Sequence, residues 1–342
     1  MFEPRERTEF SQYSLPLKDC SSKSSVSRRN RGEALADPLV VVLGPTASGK
    51  SELALRIARE FCGEIVNFDS IQVYRGFDIG SAKLPLSARG GIPHHLIDVV
   101  DPGQLFTAGD FVRMASSVSQ EIAGRHRLPV LVGGTGFYLR ALLEGLSPAP
   151  ERQEYLRAGL IAREDKRRGS LHRILSRIDP AASARIHQND VKKLVRALEL
   201  CMLRRQPAST LQAIRKDALT GFPTIKIGLD PPRAELYERI NDRVARMFEG
   251  GLIREVEAML AGGIPSSAKP FESLGYAQAV AHLEGRLSLE EAVTLTRQAT
   301  RRYAKRQMTW FRREREVEWF KSFGSAPEAQ TEAVAYLRNT IT

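Results

Sequence analysis

The chain has 342 residues, 42% of them hydrophobic and 27% charged, which is enough to bury a sizeable core in one large domain or two. No apolar stretch approaches membrane-spanning length and the N-terminus lacks a secretory h-region, so a cytoplasmic chain with no membrane partner is expected. The net charge of +11 fits a polyanionic partner such as a nucleic acid, or an indifferent basic surface, and charge alone does not separate the two.

Residues 1–36 are rich in Ser, Arg and Glu without periodicity and read as a disordered arm. From Leu39 short apolar runs alternate with helical ones. The expected strands are Leu39–Leu43, Glu64–Phe68, Leu96–Val100, Pro129–Val132 and Thr224–Leu229, with helices at Glu52–Glu60 and Gly109–Gly124. This βαβα order implies an α/β fold, a parallel sheet with helices on both faces. Its first part is expected over 37–150. A helical, basic insertion over 151–220 covers Arg152–Arg168, Leu171–Ile178 and Asp190–Arg204. Residues 221–323 are expected to complete the core and supply basic C-terminal helices. Gly250-Gly251 and Gly262-Gly263-Ile264-Pro265 punctuate them, Val317–Phe320 adds a last strand, and 324–342 reads as a tail. Cys20, Cys62 and Cys201 are scattered with no CxxC or Cys/His cluster, so neither a disulfide framework nor a zinc site is expected.

Between the first strand and the first helix lies Gly44-Pro45-Thr46-Ala47-Ser48-Gly49-Lys50-Ser51, which fits G-x-x-x-x-G-K-[ST]. The glycines let successive N–H groups converge on one anion, and the helix behind adds its positive end. Lys50 would reach the outer phosphates and Ser51 would hold Mg²⁺. The fold expected is therefore P-loop NTPase-like. Asp69, leaving the second strand, faces the carboxyl edge of the sheet, where ligands gather. A carboxylate there binds Mg²⁺, acts as a general base, or merely caps the next turn. Gly133-Gly134-Thr135 repeats that geometry on a later strand, with Thr135 either a rim hydroxyl or an N-cap. His94-His95 has no ligand partner nearby and reads as structural. In Thr300–Arg313, Arg301, Lys305 and Arg312 share one helical face and Arg302, Arg306 and Arg313 a neighbouring one. Leu295, Ala299, Tyr303, Met308 and Phe311 form the apolar stripe, so the guanidinium groups are expected to meet phosphate of a nucleic acid, a small substrate or both.

Together these segments resemble the tRNA dimethylallyltransferases (tRNA isopentenyltransferases). The likeness runs from about Leu39 to Phe320 and rests on ordered motifs. They are the phosphate loop; Asp69 to Tyr74 with Asp78-Ile79-Gly80 and Ala82-Lys83; Pro93 to Asp98; Gly133-Gly134-Thr135 with Leu142 to Leu146; Asp179-Pro180 and Ala184 to His187; Asn189-Asp190 and Arg196 to Glu199; Leu274-Gly275-Tyr276; and Thr300 to Trp310. The resemblance implies transfer of a dimethylallyl group from dimethylallyl diphosphate to N6 of an adenosine next to the anticodon (tRNA position 37). The partner is then the tRNA anticodon loop, the ion Mg²⁺, and the acting unit a monomer. Asp69 takes the general-base role and Thr135 the catalytic rim position, while Gly44 through Ser51 and Arg306 hold the diphosphate and Ser51 the metal. The tRNA would be gripped by Asp69, Ser70, Ile71, Gln72 and Thr135 at the rim, and by Arg157, Asn189, Asp190, Lys192 and Lys193 in the insertion. Gly275 and Tyr276, with Arg301, Lys305 and Arg312, complete the set. The target base would be flipped out of its stack.

Two departures stand out. Many relatives carry a basic residue after the Tyr, where this chain has Ala277-Gln278. The zinc finger of eukaryotic relatives has no counterpart, so a bacterial-type enzyme is expected. Competing readings are a P-loop small-molecule kinase, which explains the loop but not the basic helices, and an adenylate isopentenyltransferase acting on free AMP or ADP. An RNA-binding protein with a vestigial loop sits poorly with intact Lys50, Ser51, Asp69 and Thr135.

Overall fold

The chain was analysed as a computed structural model that describes residues 38–147, 149–211 and 218–341. The expected arm over 1–36 lies outside the described residues. Six strands, β1 (Leu39–Leu43), β2 (Gly63–Asn67), β3 (His94–His95), β4 (Leu128–Val132), β5 (Thr224–Leu229) and β6 (Val317–Phe320), form one parallel sheet of order β3-β2-β4-β1-β5-β6. β1 is fully buried along its whole length, so both faces must be covered. On one face Val40 and Val42 pack with Leu53 and Ile57 of α1 (Lys50–Glu60) and with Ala333 and Leu337 of α13 (Pro327–Ile341). The other face carries α2 (Ala108–Gly124), which lies against β2 and β4 and starts from a Thr107–Asp110 capping box.

α13 spans Pro327–Ile341 and corrects the expected tail over 324–342. Its Ala329, Ala333, Val334 and Leu337 are buried, and Arg338 pairs with Glu60 at the end of α1. Leu96–Val100 is not a strand, because Leu96 and Asp98 both take positive φ (60° and 57°), which no extended run tolerates. The edge strand is His94-His95 itself, paired with β2. Cys201 is free and buried.

After β5 come α9 (Arg233–Glu249), α10 (Leu252–Ala261), α11 (Tyr276–Leu283) and α12 (Leu289–Phe311), with the expected glycine breaks between them. α9, α10 and α11 supply Met247, Leu252, Val256 and Tyr276 to a cluster that includes Val73, Tyr74 and Phe77, so this layer anchors the segment following Asp69.

Leu139–Thr220 forms a compact unit of its own, beginning earlier than the expected 151. The last part of α3 (Gly136–Glu144) opens it, and α4 (Glu154–Lys166), α5 (Ser170–Ile178), α6 (Pro180–Ser183), α7 (Val191–Arg204) and α8 (Ala208–Leu211) follow. Leu160, Leu171, Leu175, Leu194 and Leu198 fill its core. Among the described residues no helix is long and apolar enough to cross a membrane.

Candidate active site

β2, β4 and β1 are neighbours, so the loops leaving their carboxyl ends meet at one rim. They carry Asp69, Thr135 and Gly44–Ser51 respectively. In the β1 loop Gly49 has φ +84°, and a Cβ there would stand 2.7 Å from Ser325 N. Only glycine fits. Ser48 O accepts from Gly324 N at 2.9 Å, so the turn between β6 and α13 braces the loop from behind. Thr46 and Ser48 amides are taken by Gln307 and Pro45, whereas those of Ala47, Gly49, Lys50 and Ser51 have no partner among the described residues. They form the orphan donors of a helix start, ready for an anion.

Lys50 Nζ folds back onto Pro45 O at 2.8 Å. Burial brings its ammonium down to about pKa 8, the Arg243 charge adds to this, and Asp69 and Glu52 oppose it. Arg243, on α9, donates to Thr46 Oγ1 at 3.1 Å, and its burial likewise disfavours its charge, with Asp69 the chief opposing group. Two desolvated cations, Lys50 and Arg243, thus stand at the loop beside the carboxylates of Asp69 and Glu52, and an arriving polyanion would restore to both the counter-charge that burial withholds.

Asp69 Oδ1 accepts from Ile71 N (2.9 Å) and Gln72 N (3.3 Å), so the residue does cap the next turn. Among the described residues no hydrogen bond engages Oδ2. Thr135 Oγ1 accepts from Ser70 N at 3.1 Å and donates to Ser70 Oγ at 3.3 Å, tying the two acceptor-side loops together. Gly133 permits this, since a Cβ would stand 2.6 Å from the Phe68 carbonyl carbon. Gln72 Nε2 donates to Ser81 O, and half-buried Ile71 joins the apolar cluster below.

α12 departs from its expected face. Leu295 is exposed, whereas Gln307 is buried with Ala304, Met308 and Phe311. Arg306 is exposed with its guanidinium 5.6 Å from the Tyr303 ring, and Asp69 acts on the same Tyr303, so Arg306 stands at this rim. Arg301 donates to Asn241 Oδ1 at 2.7 Å, and Lys305 is exposed with no acidic partner among the described residues. Arg233, Tyr237, Gln298, Arg301, Arg302 and Lys305 line a basic hollow of about 360 Å³. Arg312 lies past the helix end and pairs with Asp230 at 3.0 Å, which occupies its charge.

Tyr276, expected at the tRNA, is fully buried; its hydroxyl donates to Glu255 (2.6 Å) and accepts from Gly80 N (3.1 Å). Gly275, at φ +85°, begins α11. Within the insertion Arg157 is mostly buried and paired to Glu199 at 3.1 Å, and Arg196 meets the same carboxylate at 2.6 Å. These contacts give Tyr276 and Arg157 packing roles. Asn189, Lys192 and Lys193 are exposed, and Asp190 caps α7 while pairing with Lys193 at 2.6 Å. His95 Nε2 meets Glu64 at 2.7 Å and His94 Nδ1 meets Ile92 O, both structural contacts.

Sequence reasoning missed Arg243 and Gln307. The signal for Arg243 is its place between Ile240, Val244 and Met247 on the buried side of α9.

Residues 72–314 match the family described as IPP transferase. The tRNA dimethylallyltransferase of Solibacter usitatus is 58% identical over 297 residues, covering 87% of this chain and 97% of that one. Among solved structures, a full-length tRNA isopentenylpyrophosphate transferase from Bacillus halodurans is similar at 38% identity and TM-score 0.66, covering 89% of this chain and 97% of the other. A eukaryotic dimethylallyltransferase acting on tRNA is similar at 25% identity and TM-score 0.72, covering 89% and 78%. With its parallel sheet, its phosphate loop and these relatives, the chain belongs to the IPP transferase family.

Proposed function

We propose that this chain transfers a dimethylallyl group from dimethylallyl diphosphate to N6 of the adenosine at tRNA position 37, releasing diphosphate. The observation that carries the reading is the pairing of a cationic phosphate loop, Lys50 and Arg243, with Asp69 on the neighbouring rim. The diphosphate sits on the orphan amides of Ala47, Gly49, Lys50 and Ser51, with Lys50 swinging from Pro45 O to its oxygens. As the allylic C–O bond breaks, its electron pair leaves with pyrophosphate, and the loop neutralises that charge. N6 attacks the allylic carbon, and its proton passes to Asp69, whose Oδ2 is the oxygen not committed to the backbone. Thr135 orders this approach by holding Ser70.

Among the described residues no three His, Cys, Asp or Glu cluster as a metal cage. The Ser51 hydroxyl therefore fits Mg²⁺ only in company with diphosphate oxygens, where the ion would supply further neutralising charge. The tRNA is held by exposed Lys305, the basic hollow beside it, Arg306 at the rim, and Lys192 and Lys193 of the insertion. The scheme is that of a monomer at work in the cytoplasm. Incubation with tRNA and dimethylallyl diphosphate, followed by mass analysis of nucleosides, should yield N6-isopentenyladenosine. Prenylation of AMP in place of tRNA, or turnover of ATP, would overturn the reading.

A further inference from the structure

Gln307 is one of the few polar side chains buried in α12, a helix whose outer face is basic. Its Oε1 accepts from Thr46 N of the phosphate loop at 2.8 Å, and its Nε2 donates to Gly134 O at 2.8 Å. Only an oxygen can meet Thr46 N–H and only an N–H can meet the Gly134 carbonyl, so the two partners fix the orientation of the amide. A Cβ on Gly134 would meet Gln307 Nε2 and displace the amide from this carbonyl. One turn earlier Tyr303 donates to the same carbonyl at 3.4 Å. Gly134 precedes Thr135, and Thr135 holds Ser70 beside Asp69. One amide therefore joins the loop that receives the leaving group to the loop that holds the proton acceptor.

We propose that Gln307 is a positioning residue that sets the spacing between the diphosphate loop and the Thr135–Asp69 rim, an inference that rests on the prenyl-transfer reading above. Reacting atoms displaced by about 1 Å lose on the order of 10²-fold in rate. The strut bears on that distance without touching substrate.

Two variants separate its arms. Gln307→Glu keeps an oxygen for Thr46 N–H and removes the donor facing Gly134 O, while Gln307→Leu removes both. Single-turnover transfer should slow by roughly 10–100-fold in the Glu variant, whose buried carboxylate also repels inorganic pyrophosphate and lowers its affinity. In the Leu variant transfer should slow at least as much, and pyrophosphate affinity should fall about tenfold, because an unpaired loop amide must be reordered on binding. A merely structural amide would lower the melting temperature while leaving transfer rate and pyrophosphate affinity at wild-type values, and that result overturns the proposal. If the wild type itself transfers no prenyl group, the prenyl-transfer reading fails. The strut is then decided by pyrophosphate alone: a tenfold loss of affinity in the Leu variant sustains it, and wild-type affinity overturns it.

Discussion

β2 carries a carboxylate at each end, and the two live in opposite worlds. Glu64, near its start, is buried and met by His95 at 2.7 Å, Arg125 at 2.9 Å and Arg127 at 3.7 Å. Burial alone would raise its pKa, but the hydrogen bonds from His95 and Arg125 more than offset that and leave it below the usual range. Asp69, just past the other end, bonds only backbone amides and faces two cations, Lys50 and Arg243, that themselves lose by being buried. Both carboxylates face two cationic side chains or more, but Glu64 is bonded to its own, whereas Asp69, Lys50 and Arg243 form no ion pair among the described residues. Committed partners mark structure, and opposite charges held close without pairing mark a binding site.

Asp69→Ala breaks this contrast most sharply. Turnover should fall by roughly 10²–10⁴-fold with tRNA affinity little changed, and normal single-turnover chemistry in that variant would remove Asp69 from the mechanism. Lys50→Met comes next, with turnover down by about 10²–10³-fold and bare tRNA binding intact. Lys50 also sharpens the comparison through pH. Its pKa of about 8 should rise when pyrophosphate binds, so the complex holds an extra proton above that pH and affinity must decline as pH climbs past about 8. Calorimetry in buffers of different ionisation heat should show the matching proton uptake, absent in Lys50→Met.

Glu64→Gln tests the other end of the strand. Stability should drop by about 1–3 kcal/mol while activity per folded molecule stays at wild type. A depressed carboxylate contributes stability above its ordinary pKa and loses it as pH falls through its native value, so the gap between wild type and variant should close in acid. Urea melts at pH 7 and pH 3 check both statements. A smaller effect is expected at Lys305, whose Ala variant should lower the slope of log K against log salt for tRNA by roughly 0.7–0.9 without altering pyrophosphate affinity. Arg312, held by Asp230, should change that slope less.

The balance between the two ends was only half legible in the chain. β1, β5 and β6 stand within the bounds that their apolar runs suggest, and the phosphate loop and Asp69 follow from pattern and position. Leu96–Val100 misleads because its apolar residues are real but two left-handed positions are invisible in composition. α13 hides because small residues, Ala329 and Ala333, form much of its buried stripe. Gln307 sits in a run read for its charges, and nothing local distinguishes a buried amide there from a solvated one. Arg157 and Tyr276 show the converse, since matched motif positions turned out to be committed to Glu199 and Glu255.

The contact between Ser48 and Gly324 has a consequence for synthesis. The phosphate loop is made well before the turn that braces it and the helix that covers α1. β1 itself lies between β4 and β5, so its pairing also waits for distant chain. Such non-local closure is slow and leaves apolar strands uncovered for much of translation. A nascent chain halted before α13 would thus bear a loop without its backing, so competence for diphosphate would be acquired only once α13 had emerged, all at once.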